Sequence, residues 1–153
     1  MKIKKNISGV TLIEIMATIM LITVAVIGAM GFRYYSHLDF RKAQLHIAAS
    51  RIANAILEDW KGCGGKATYD PISRLSDEMD ITSAADKSVG LENHVATYLV
   101  TADDADYFTT VSYRDDLDKP RLLNVTVNWS WEYSAAAAAS GDPSVSVTTY
   151  SDY

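Results

Sequence analysis

The sequence predicts an α+β fold: one long N-terminal helix packed on a small antiparallel β-sheet of about four strands. Three observations predict it. An apolar run covers Val10–Phe32. A helical apolar period then continues to residue 61. From residue 92 the period changes to alternation, broken by short turns. A chain of 153 residues has room for one compact domain and an anchor. An apolar fraction of 48% against 22% charged is that of a folded chain rather than a disordered one.

The first nine residues form a basic leader. Lys2, Lys4 and Lys5 carry three positive charges and no acid accompanies them, so a total of −5 leaves the remainder near −8. A remainder of that sign has no electrostatic footprint for nucleic acid.

Residues 10–32 form the second segment, about 23 apolar residues broken only by Glu14, the threonines and the glycines. About 20 such residues cross a bilayer as a helix. The lysines before the run keep its N-terminus cytoplasmic and send the rest outward. A secretory signal is the rival reading. The run is too long for one, no small-x-small cleavage site follows it, and amphipathic sequence continues directly after Phe32.

Glu14 is the anomaly in this run. A carboxylate costs about 2.5–3.5 kcal/mol near the centre of a membrane helix and less near its end. Either a partner charge meets it, or it sits at the interfacial edge with no special role. A free amine at Val10, one helical turn away, would supply such a charge.

Residues 33–61 extend the helix. Leu38, Leu45, Ile52, Ile56 and Trp60 recur at spacings of seven or four on one face. Ala48, Ala49, Ala53 and Ala55 fill between them as strong helix formers. Gly28 and Gly31 are points where a bend is expected. Gly62, Gly64 and Gly65 around Cys63 end the helix with residues able to take the left-handed cap. A helix from Thr11 to Lys61 would be about 75 Å long at 1.5 Å per residue.

Residues 62–91 read as a connecting loop, with a turn at Pro71 and one short helix within Ser73–Asp80. Residues 92–153 read as the sheet. Its strands are expected at Glu92–Thr101, Tyr107–Arg114, Leu122–Tyr133 and Val145–Tyr150. Asp103–Asp106 and Asp115–Pro120 are turns, and the alanine run with Gly141-Asp142-Pro143 is the last loop. Such short links favour a meander.

The string Lys4-Lys5-Asn6-Ile7-Ser8-Gly9-Val10-Thr11-Leu12-Ile13-Glu14 resembles the processing site of type IV prepilins and type II secretion pseudopilins. There a basic leader ends in glycine and a glutamate stands fifth in the mature chain. Val10 departs from the usual phenylalanine, and Gly31 stands near where many pilins carry a proline. The strands Leu123–Trp129 and Ser144–Tyr150 look like the closing strands of minor pilins and pseudopilins in that family. The resemblance implies cleavage between Gly9 and Val10 by a prepilin peptidase, and N-methylation of Val10. It implies an assembly and register role for Glu14 and Thr11, with Glu14 pairing to a neighbouring subunit's terminal amine. The implied product is a minor pilin or pseudopilin, a non-enzymatic subunit of a type II secretion pseudopilus or a type IV pilus. Implied partners are other pilin or pseudopilin subunits, the peptidase, the inner-membrane assembly platform and inner-membrane lipid. The head would be periplasmic, then part of a periplasmic or extracellular filament. The alternative is a membrane-anchored periplasmic recognition module that never polymerises.

Catalytic and metal signals are weak. His37, His46 and His94 share no ligand spacing, and there is no phosphate loop or nucleophile elbow. No cofactor is called for. The acidic turns offer the one ion candidate: Asp103, Asp104 and Asp106, or Asp115, Asp116 and Asp118, have oxygens for calcium, although solvated turns look the same. Cys63 is the sole cysteine, so no intrachain disulfide forms. Asn124 and Asn128 match a glycosylation pattern but fall within a strand.

Overall fold

A computed structural model describes residues 11–84, 92–115, 120–130 and 143–151. The chain divides into two units, Met1–Lys42 and Ala43–Tyr153. Helix α1 spans Leu12–Gly62, 51 residues, and runs through Gly28 and Gly31 without interruption. In the first unit its side chains are exposed on every side. In the second unit Ala48, Ala49, Ile52, Ala53, Ile56, Leu57 and Trp60 are buried. The buried stripe therefore starts later than the periodicity indicates. Leu38 is exposed and Leu45 only half-buried, whereas Ile52, Ile56 and Trp60 enter the core.

The end of α1 is a Schellman motif. Gly65 N–H donates to Trp60 O at 3.0 Å and Gly64 N–H to Lys61 O at 2.9 Å, with φ at Gly64 of +74°. The short helix α2, Ile72–Leu75, follows. Five strands then form one sheet in the order β1-β2-β3-β4-β5, each pair antiparallel: β1 Asp80–Ser83, β2 Asn93–Ala102, β3 Ala105–Arg114, β4 Arg121–Trp129 and β5 Ser144–Ser151. The α+β class and the meander stand. The sheet has one strand more than the expected four, because β1 falls within the stretch read as a loop. Four residues are too few to show an alternating period, and β1 is defined by its pairing with Tyr98–Thr101 of β2. The strand expected to reach Tyr133 ends at Trp129, and residues 131–142, with the alanine run, lie outside the described residues.

Alternation decides the faces. Register places Val100, Tyr107 and Trp129 in one row, and Val111, Val125 and Val147 in another, all pointing to the helix side. With Leu123 and Val127 they form one cluster with Ile52, Ile56 and Trp60 of α1. The opposite face carries Thr97, Thr110, Ser112, Asn124, Thr126, Ser146 and Thr148. Asn124 Nδ2 donates there to Ser146 Oγ at 2.7 Å and to Thr148 Oγ1 at 2.9 Å.

The loop after α1 is held by a compact clamp. Trp60 Nε1 donates to Lys66 O at 2.8 Å, and the Trp60 and Tyr69 rings stack with centroids 5.6 Å apart. Tyr69 OH donates to Asp59 Oδ2 at 3.0 Å. Arg74 grips the same carboxylate through Nε and Nη2, each at 2.8 Å.

Candidate assembly surface

Among its described residues, the first unit buries no side chain. Leu12 and Ile13 are 77% exposed, and the large apolar side chains from Ile15 to Met30 are open to their surroundings too. This is the chain's one candidate membrane span among the described residues, and none of its most apolar window is buried. This N-terminal part of α1, apolar on every side, is long and apolar enough to cross a bilayer.

Polar groups on it are satisfied locally. Thr11 stands at the N-cap of α1 and Glu14 at the third helical position. Thr11 N–H donates to Glu14 Oε2 at 3.0 Å, Thr11 Oγ1 donates to the same oxygen at 3.2 Å, and Glu14 N–H donates to Thr11 O at 3.0 Å. The carboxylate therefore reaches back over the helix N-terminus, as the glutamate of a capping box does. It also lies at the positive end of the helix dipole. Thr18 Oγ1 donates to Glu14 O at 2.7 Å and Thr23 Oγ1 to Ile19 O at 2.8 Å. Each hydroxyl thus finds a carbonyl four residues back, which lets threonine sit in an apolar run.

Of the residues tied to assembly, Thr11 and Glu14 meet directly. Gly9 and Val10 lie outside the described residues, as does the rest of the leader. The T-x-x-E spacing that signals a capping box is present at residues 11–14, but an isolated acid in an apolar run draws attention to distant partners first.

The ion candidates that fall among the described residues are not brought together. Asp103 and Asp104 occupy the β2–β3 turn with φ of 51° and 59°. Asp106 is in β3, where its Oδ1 accepts from Thr101 Oγ1 at 2.9 Å. Arg121 grips Asp115 through Nε and, at 2.9 Å, through Nη2. Asp116 and Asp118 lie outside the described residues. Among the described residues no group of three or more His, Cys, Asp or Glu side chains is placed to hold a metal ion. The histidines are scattered. His37 is exposed, His46 stands edge-on to Trp129 with centroids 5.9 Å apart, and His94 Nε2 lies 3.2 Å from Thr97 Oγ1. Cys63 is a free, half-buried thiol at the end of α1.

No family model, no curated protein and no solved structure matches the chain.

Proposed function

We propose that this chain is a minor pilin or pseudopilin: a subunit of a type II secretion pseudopilus or type IV pilus, cleaved after Gly9 and N-methylated at Val10. In this reading the inner membrane holds residues 10–32 as a single span with the N-terminus cytoplasmic, and the sheet is the periplasmic head. The role is structural, and the chain carries no catalytic step. One observation supports it above the rest. The sole acid of the apolar stretch Leu12–Phe32 stands beside the N-cap of α1, with its carboxylate on the backbone amide of Thr11. Cleavage at Gly9–Val10 would place a new amine one residue before Thr11, within reach of that same carboxylate or of a neighbour's. A Glu14 paired with a neighbour's amine fixes axial register, the best-attested use of a buried charged group. Replacement of lipid by other apolar helices then changes little hydrophobic free energy.

The second reading, a tethered recognition module that never polymerises, draws on the same atoms. Glu14 is already satisfied by its own helix start and needs no partner. Mass spectrometry of the protein from its native host separates the two. A methylated Val10 at the N-terminus is the expected result, and an intact Met1 overturns the assembly reading. Glu14→Ala should leave the chain in the membrane and exclude it from sheared filaments. Normal incorporation of that variant would remove the pairing step.

A further inference from the structure

The apolar exposure of α1 does not stop where the hydrophobic run stops. Phe32 is 76% exposed, Tyr34 64%, Tyr35 68% and Phe40 61%. These are four aromatic side chains within nine residues of the first unit, with Arg33 among them and Arg41 directly after. At 3.6 residues per turn, taking Phe32 as zero, the four point near 0°, 200°, 300° and about 80° around the helix axis. They encircle the helix. A helix docking on one protein partner shows a stripe, because only one side is covered. A collar is what an environment symmetric about the helix would select.

The axial position agrees. Leu12 to Phe32 spans 21 residues, roughly 30 Å at 1.5 Å per residue, which is the thickness of a bilayer's hydrocarbon core. The collar begins where that thickness ends, and there the first cation after the leader, Arg33, also appears. Tyrosine rings combine an apolar body with a hydroxyl that wants water or a headgroup. Tyr34 and Tyr35 meet edge to face, with centroids 5.8 Å apart, and so present one broad amphipathic surface. Two arginines against the single Asp39 give the segment Phe32–Arg41 the sign that lipid phosphate prefers.

We propose that Phe32, Tyr34, Tyr35 and Phe40 form an interfacial collar that seats in the lipid headgroup layer, with Arg33 and Arg41 on lipid phosphate, and so fixes how deep α1 stands in the bilayer. This rests on the reading of residues 10–32 as a membrane span and adds what stops the helix from sliding along its axis. In that setting the depth of Glu14 is set from the far end of the span. A collar one turn deeper or shallower would carry the carboxylate with it by about 5 Å.

Spin-label depth measurement on the full chain tests this, in vesicles of phosphatidylethanolamine and phosphatidylglycerol. In a Cys63→Ser background, nitroxides at Ile22→Cys, Ser36→Cys and Gln44→Cys report collisions with oxygen and with a water-soluble nickel chelate. The expected result is a label at 22 reached by oxygen only, one at 44 reached freely by the chelate, and one at 36 intermediate to both. Adding Tyr34→Ser and Tyr35→Ser should raise chelate collisions at 36 roughly threefold as the helix loses its interfacial hold. If the label at 36 matches that at 44, or is screened from both reagents as a protein contact would screen it, the collar is wrong while the span stands. If the label at 22 is open to the chelate, the span itself fails. If removing the two tyrosines leaves the label at 36 unchanged, they do not set the depth.

Discussion

Gly65 shows how narrowly one residue can be specified. Its φ is +63°, and a Cβ added there would lie 3.0 Å from Ser151 Cβ and 3.1 Å from Leu123 Cδ2. Its carbonyl accepts from Arg121 Nη1 at 2.7 Å, so the strand side holds it from a second direction. Gly64, with φ of +74°, has nothing within 4 Å. Gly64→Ala should therefore lose about 1 kcal/mol, from backbone strain alone. Gly65→Ala should lose about 2–3 kcal/mol, because strain and overpacking act together. Denaturant unfolding of the detergent-solubilised chain, followed by tryptophan fluorescence, resolves that difference, and equal losses would mean that Leu123 and Ser151 yield. Asp59 gives a pH test in the same region. The Arg74 hydrogen bond holds its carboxyl below the usual 3.8, although partial burial opposes the shift. A carboxyl with a depressed folded pKa adds stability above its unfolded value, and that stability disappears as pH falls through the folded value. Acid titration below about pH 4 should thus destabilise the wild type more steeply than Asp59→Asn. Parallel acid-unfolding curves for the two would remove the Asp59–Arg74 pair from the stability of the head.

At the scale of elements, the β2–β3 hairpin is the simplest to improve. Asp103 and Asp104 both have positive φ, as the two central residues of a type I′ turn must, and they link the Ala102–Ala105 pair directly. Aspartate tolerates that conformation less well than asparagine or glycine. Asp103→Asn with Asp104→Gly should raise stability by about 0.5–1 kcal/mol, read as a higher denaturant midpoint with unchanged slope. A fall in the midpoint would show that the carboxylates hold something the turn geometry does not require. The four strands from residue 92 onward were legible because alternation and aspartate-rich turns are local signals, and so was the glycine stop of α1. Strand β1 was not, since its membership depends on pairing with residues about twenty positions away. Nor was the late start of the buried stripe, because the period of Leu38 and Leu45 matches that of Ile52 while only the sheet decides which of them is covered. The clamp of Trp60, Tyr69, Asp59 and Arg74 joins residues up to fifteen apart through side-chain geometry that no periodicity encodes. Of the candidate assembly surface, the apolar run and Glu14 were plain in the sequence. The hold of that carboxylate on its own N-cap became visible in the hydrogen bonds.

For the whole molecule, the distribution of buried side chains separates what folds the chain from what the chain exposes. Every residue of the core cluster lies in Ala43–Tyr153. None of the apolar side chains of Leu12–Met30 is buried. Apolar area left in water is unfavourable by about 25 cal/mol per Å², so the first unit needs lipid, detergent or other helices around it. The second unit does not depend on that surface for its core. A chain beginning at Ala43 should then be monomeric in buffer without detergent and unfold in one cooperative transition. Its midpoint should fall within a few degrees of that measured for the same tryptophans in the detergent-solubilised full chain. The full chain should aggregate when detergent is withdrawn. Aggregation of the chain that begins at Ala43, or a loss of near-ultraviolet circular dichroism with helical signal retained, would mean that Leu12–Lys42 supports the fold as well as exposing its apolar surface.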